Sequence, residues 1–83
     1  MILQPLRKDL QEYLRARKLE KKWDKARVLF ERDMRYPSLA TELLEPRWRG
    51  IYSCRIDKKY RALFFIRNAK AEVFSIMNHY KKQ

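Results

Sequence analysis

Apolar residues change their spacing once along this chain, and that change dictates its architecture. Up to about Tyr36 they recur at helical intervals: Leu6, Leu10, Tyr13 and Leu14, then Leu19, Trp23, Ala26 and Phe30, with Met34 one position off the stripe. From Ile51 they alternate, so Tyr52, Cys54 and Ile56 share one side of an extended segment while Ile51, Ser53 and Arg55 share the other. Helices first and strands after, in 83 residues, predict a single α+β domain spanning 1–83, with one modest core and no deep private pocket.

The helical part begins at Pro5, a residue suited to a first helical turn, and no glycine or proline interrupts it before Pro37. One straight helix of that length would reach about 45 Å, too long for so small a domain. A break is therefore expected within Arg17 to Lys22, giving a helical hairpin, although no turn residue marks it. Tyr36-Pro37-Ser38-Leu39 ends this part, because a residue before proline is pushed towards extended geometry. A linker carrying Glu42, Glu45, Pro46 and Trp48 leads to Gly50.

Three antiparallel strands are expected beyond Gly50. The first two form a hairpin in which Arg55 opposes Arg61 around an Asp57-Lys58-Lys59 loop, since that register keeps Tyr52 and Phe64 on one apolar side. The third runs from about Glu72 to His79. Strict alternation puts Phe74 and Ile76 on the core side and Val73, Ser75, Met77 and His79 with the two arginines. The helices cover the Tyr52, Phe64, Phe74 side, which leaves the arginine and histidine side open. That side also carries Leu63, Phe65, Val73 and Met77, enough apolar surface to call for a substrate or partner.

The formal charge is +11, from 21 Lys and Arg against 10 Asp and Glu. Such an excess favours a polyanion, with nucleic acid first and an anionic membrane surface or an acidic protein behind it; the plain alternative is a charge that only keeps the chain soluble. Cys54 stands alone, so there is no disulfide framework, zinc ligand set or CxxC, and it reads as a small core residue in a reducing compartment. Met1-Ile-Leu-Gln-Pro-Leu gives way at once to Arg7 and Lys8, and no apolar run approaches ~20 residues. A cytoplasmic protein with no membrane attachment is expected.

On the open side, two guanidinium groups placed side by side repel each other unless an anion lies between them, and their planar forks match phosphate oxygens. His79, the one histidine, has the near-neutral pKa that suits a general acid or base. Each also has a plainer reading: solvated strand arginines and a surface histidine near the terminal lysines. Alternation turns Tyr80 away from His79, towards the helices. Glu42 reads by itself as a charge-balancing linker carboxylate. Trp48 reads as a packing residue, although an exposed aromatic beside Arg47 and Arg49 could stack on RNA.

Tyr36-Pro-Ser-Leu, Glu42-Leu-Leu, Gly50-Ile-Tyr-Ser-Cys-Arg-Ile56, Tyr60-Arg61 and the terminal His79-Tyr80 together resemble the RelE/ParE superfamily of bacterial and archaeal toxins, and most of all its YoeB-like branch. The resemblance spans nearly the whole chain in order and spacing. It implies a two-helix hairpin on one face of a small twisted antiparallel sheet of three to four strands, a site on the other face, and neutralisation by an antitoxin. The strand that usually precedes the first helix is reduced here to about Met1 to Gln4. The sheet edge beside it would be open to pairing with an antitoxin segment.

By position the resemblance makes Glu42, Arg61, His79 and Tyr80 the catalytic set. Arg55 becomes a second strand arginine at the phosphate, and Arg47, Arg49, Lys58 and Lys59 are candidate RNA contacts. The implied reaction is mRNA cleavage in the ribosomal A site, where the ribose 2′-OH attacks the adjacent phosphate to leave a 2′,3′-cyclic phosphate and a 5′-OH. Glu42 would be the base, His79 the acid, Arg61 the phosphate stabiliser and Tyr80 an orienting or stacking group, with base and acid interchangeable. No cofactor or metal is called for, and the chain lacks the clustered carboxylates that hold one. The implied partners are an acidic antitoxin and the ribosome, with a homodimer or a toxin–antitoxin hetero-oligomer as the assembly. The alternatives are a ParE-like inhibitor of DNA gyrase and a noncatalytic RNA-binding protein.

Overall fold

The computed structural model describes residues 1–78; His79 and Tyr80 lie outside the described residues. In chain order the elements are β1 (Ile2–Leu3), α1 (Lys8–Ala16), α2 (Glu20–Arg32), β2 (Glu42–Leu43), β3 (Ile51–Arg55), β4 (Tyr60–Arg67) and β5 (Lys70–Asn78), with 3-10 turns at Pro37–Leu39 and Arg47–Arg49. The two helices lie on one face of a five-stranded sheet of order β1-β5-β4-β3-β2. The α+β arrangement is the expected one, but the strand count is higher and the sheet is mixed. The segment around Glu42 is not an irregular linker: it pairs antiparallel with β3. Met1 to Gln4 supply a short edge strand parallel to β5, with Gln4 N bonded to Ala71 O at 2.8 Å.

The helical hairpin breaks where chain length demanded. Lys18 takes a left-handed φ of 56°, its N–H donates to Arg15 O at 3.1 Å, and the Leu19 N–H reaches back to Leu14 O at 2.8 Å. That pair of bonds is a Schellman motif, which satisfies the last carbonyls of α1, and Leu19 is buried just beyond it. Glycine usually fills the left-handed position, so a lysine there left no signal in the sequence. Pro5 precedes α1 rather than entering its first turn, and α2 ends at Arg32, short of Tyr36.

The core forms where Leu10, Leu14, Leu19, Trp23, Ala26 and Phe30 of the helical hairpin meet Cys54, Ala62, Phe64, Ala71, Val73 and Ile76 of the sheet. At its centre Phe30 meets Phe64 edge to face, with ring centroids 5.0 Å apart and both side chains fully buried. The β3–β4 hairpin has the predicted register, with Arg55 opposite Arg61, and Asp57 shapes its turn by accepting the Lys59 and Tyr60 N–H groups at 2.8 Å each.

β5 departs from strict alternation. Ser75 opposes Leu63, but the next pair is Val73 with Phe64, so Phe74 is the extra residue of a β-bulge. The bulge reverses two assignments. Val73 enters the core, whereas Phe74 leaves it and stacks on Phe65 with centroids 5.9 Å apart.

Candidate active site

The open face is organised in cross-strand rows. Directly paired residues of a sheet project to the same side, so Glu42 of β2, Ser53 of β3, Leu63 of β4 and Ser75 of β5 form one row. Arg55, Arg61 and Met77 form the next. The sheet therefore brings Glu42, Arg55 and Arg61 onto one face, in adjacent rows.

The two arginines differ sharply there. Arg55 is exposed, as expected of an open face. Arg61 is only 8% exposed, which rules out the plainer reading of a solvated strand arginine and shows that the expected open side is covered at this position. Its Nε and Nη2 donate to Ser53 Oγ at 3.1 and 2.9 Å, and Nη2 also donates to Ala40 O at 2.6 Å. Ala40 can present that carbonyl because it sits at a left-handed φ of 45° after the Pro37–Leu39 turn. All these partners are neutral oxygens, and Arg61 makes no ion pair among the described residues. Its positive charge is thus oriented without being cancelled, which a buried guanidinium tolerates best when an anion approaches.

Ser53 was not singled out from the sequence. Its place on the arginine side of β3 was legible, whereas Ala40's role depends on a conformation that alanine does not advertise. Nor does composition reveal that the Thr41 hydroxyl donates to Met34 O, tying the start of this segment to the end of the helical region.

Glu42 is exposed and makes no ion pair among the described residues. Arg55 also lines a cleft of about 280 Å³ between α2 and the end of β3, together with Lys22, Lys25, Leu29, Ser38 and Asp57. Lys58 and Lys59 are exposed in the hairpin turn beyond it. Burial raises the Asp57 carboxyl, but the Tyr60 and Lys59 amides and the Lys22 ammonium, 3.2 Å away, outweigh it and hold that carboxyl below its ordinary value. Cys54, on the opposite face, is 3% exposed, and its burial pushes the thiol up to about 11 despite the nearby Arg61, so it stays protonated as a core residue.

Arg47, Trp48 and Arg49 occupy the turn between β2 and β3. Trp48 is 85% exposed, so it is not a packing residue. The physical reason is its position past the last β2–β3 backbone bond, Leu44 N to Ile51 O at 2.8 Å, out of line with the core.

Two helices on one face of a sheet of this order are a fold the chain shares with solved YoeB/ParE toxins. The chain superposes on a YoeB/ParE toxin from Agrobacterium tumefaciens with a TM-score of 0.70 at 18% identity, covering 95% of this chain and 96% of that one. It superposes on a chain of the heterotetrameric YoeB–YefM toxin–antitoxin complex from Staphylococcus aureus with a TM-score of 0.67 at 21% identity, covering 95% and 94%. The YoeB dimer from S. aureus gives 0.63 at 21% identity, with the same coverage. No protein-family model and no curated protein matches the sequence. No helix among the described residues is long and apolar enough to cross a membrane.

Proposed function

We propose that this chain is the toxin of a type II toxin–antitoxin system and cuts mRNA in the ribosomal A site. The observation that carries the reading is the Arg61 guanidinium, buried, aimed by Ser53 and the Ala40 carbonyl, and without an ion pair among the described residues, on the sheet face that also holds Glu42. A fixed cation of that kind stabilises charge that appears only as a phosphorane forms, and it needs no reorganisation when the charge develops.

In the proposed reaction Glu42 takes the proton of the ribose 2′-OH, and the 2′-oxygen bonds to the adjacent phosphorus. The bond from phosphorus to the 5′-oxygen breaks, and His79 gives that oxygen its proton. The products are a 2′,3′-cyclic phosphate and a 5′-OH, with Arg61 balancing the negative charge between the two steps. Arg55 adds a second cation to the same face, Tyr80 orients or stacks, and Arg47, Arg49, Lys58 and Lys59 contact the RNA backbone. The partner that restrains the toxin is an acidic antitoxin, complementary to a chain of charge +11. Pairing of the chain with itself belongs to the same proposal.

Primer extension on a defined mRNA in translating ribosomes tests this reading, with wild type beside His79→Ala. A cut inside the A-site codon that leaves a 5′-OH and is lost in the variant is expected. A folded wild-type protein that cuts nothing would overturn the nuclease reading and direct attention to gyrase supercoiling.

A further inference from the structure

Trp48 is the most exposed large apolar side chain of the described residues, at 85%, against 7% for Trp23, the chain's other tryptophan. An indole left in water forgoes burial that would stabilise the fold, and one exposed apolar side chain is by itself ordinary, so its presentation and its neighbours carry the argument. It is also presented in a defined way. The Arg47–Arg49 turn is closed by Arg49 N to Pro46 O and Gly50 N to Arg47 O, each at 3.1 Å. Arg49 Nη2 donates to Glu45 O at 3.0 Å, and Gly50 leaves the turn at a left-handed φ of 67°.

The surroundings decide what the indole receives. Arg47 and Arg49 flank it in sequence and are exposed; the one carboxylate paired with either among the described residues is Glu45, 4.0 Å from Arg47 Nε. An aromatic face between cations matches a nucleobase carried between phosphates, because every base offers a π-face and every linkage an anion. The turn closes the β2–β3 hairpin that carries Glu42 and Ser53. Glu45, whose carbonyl holds the Arg49 guanidinium, lies three residues past Glu42 and beyond the end of β2. The turn that carries the indole is thus the element that follows Glu42 in the chain, between β2 and β3.

We infer that Trp48 is a stacking platform for an unpaired RNA base flanking the scissile linkage, with Arg47 and Arg49 holding the adjoining phosphates. The inference rests on the RNA-cleaving reading above, and it adds a subsite that the Glu42 and Arg61 chemistry does not require.

The test uses a labelled eight-nucleotide single-stranded 2′-O-methyl RNA, which cannot be cut, so that binding is read apart from chemistry. Binding is followed by anisotropy and by tryptophan emission, with buried Trp23 as the internal reference. The RNA is expected to quench the emission of wild type and not of Trp48→Phe. Trp48→Ala should weaken binding about tenfold and Trp48→Phe much less, as loss of one base–aromatic stack requires. RNA that binds without quenching, and equally well to Trp48→Ala, overturns the stacking platform while leaving the nuclease reading intact. Failure of the RNA to bind wild type at all, alongside A-site cleavage by the same preparation, overturns it too. A Trp48→Ala effect confined to sedimentation would assign the indole to a contact between proteins instead.

Discussion

Arg61 is gripped by Ser53 through two guanidinium nitrogens, at 3.1 and 2.9 Å, from within a position only 8% exposed. Hydrogen bonds to a charged group contribute roughly 1.5–3 kcal/mol each when a buried partner depends on them. Ser53→Ala is therefore expected to lower stability by about 1–3 kcal/mol in urea unfolding and to lower cleavage beyond that, because the fork loses its aim. Arg61→Lys should fail similarly, since an ammonium cannot hold both Ser53 Oγ and Ala40 O as a planar fork does. Arg61→Ala should also lose stability, so a shifted melting point would not by itself show that the arginine lies outside the site. Retained cleavage by folded Ser53→Ala would remove Ser53 from the positioning of Arg61.

Glu42 differs from Arg61 in being exposed, on a two-residue edge strand that pairs through its backbone. Replacing its carboxylate by an amide leaves that pairing in place, and surface changes of this kind usually stay within about 0.5 kcal/mol. Glu42→Gln is thus expected to unfold like wild type while cutting at least 100-fold more slowly, the scale of a lost general base. Equal cleavage rates would transfer the base role to another group.

Lys18 carries a cost that can be removed. A side chain at a φ of 56° is strained by about 1 kcal/mol or more, and glycine relieves that strain while adding some freedom to the unfolded chain. Lys18→Gly should stabilise the protein by up to about 1 kcal/mol without touching the site. A lower midpoint of urea unfolding would mean that the freedom glycine adds to the unfolded chain outweighs the strain relieved at this position.

Residue spacing carried most of this fold. Helical spacing and the length of the helical stretch together gave the helical hairpin, and the period of two gave the β3–β4 register down to the Arg55–Arg61 pair, because a one-residue slip would have turned Tyr52 and Phe64 to water. It failed where the backbone, rather than the pattern, decides. The bulge at Phe74 is invisible to alternation, so Val73 and Phe74 were exchanged. β2 is two residues long, too short to show a period. Glu42, Arg55 and Arg61 were singled out through resemblance and shared faces, and the sheet places all three on one face. The grip of Ser53 and Ala40 on Arg61 was not singled out, since it depends on a left-handed alanine and on a serine whose partner lies diagonally across the strands.

Asp57 couples the fold to pH. Its carboxylate accepts the Lys59 and Tyr60 amides at 2.8 Å each and faces Lys22 at 3.2 Å, with the carboxylate only 17% exposed but the lysine 59% exposed. The amide bonds are the main contribution, since an ion pair with so exposed a partner adds little. Removal of a carboxylate that caps two backbone donors costs about 1–2 kcal/mol, which is the loss expected for Asp57→Ala at neutral pH. The folded pKa lies below the ordinary 3.8, so protons bind the unfolded chain first as the solution is acidified. The stabilisation is complete above that ordinary value and is lost as pH falls through it towards the lower folded pKa. Urea midpoints of wild type and Asp57→Ala should stay apart from neutral pH down to about pH 5 and converge below about pH 4. A gap that stays constant down to pH 2 would mean that Asp57 acts by filling space in the turn and not through its charge.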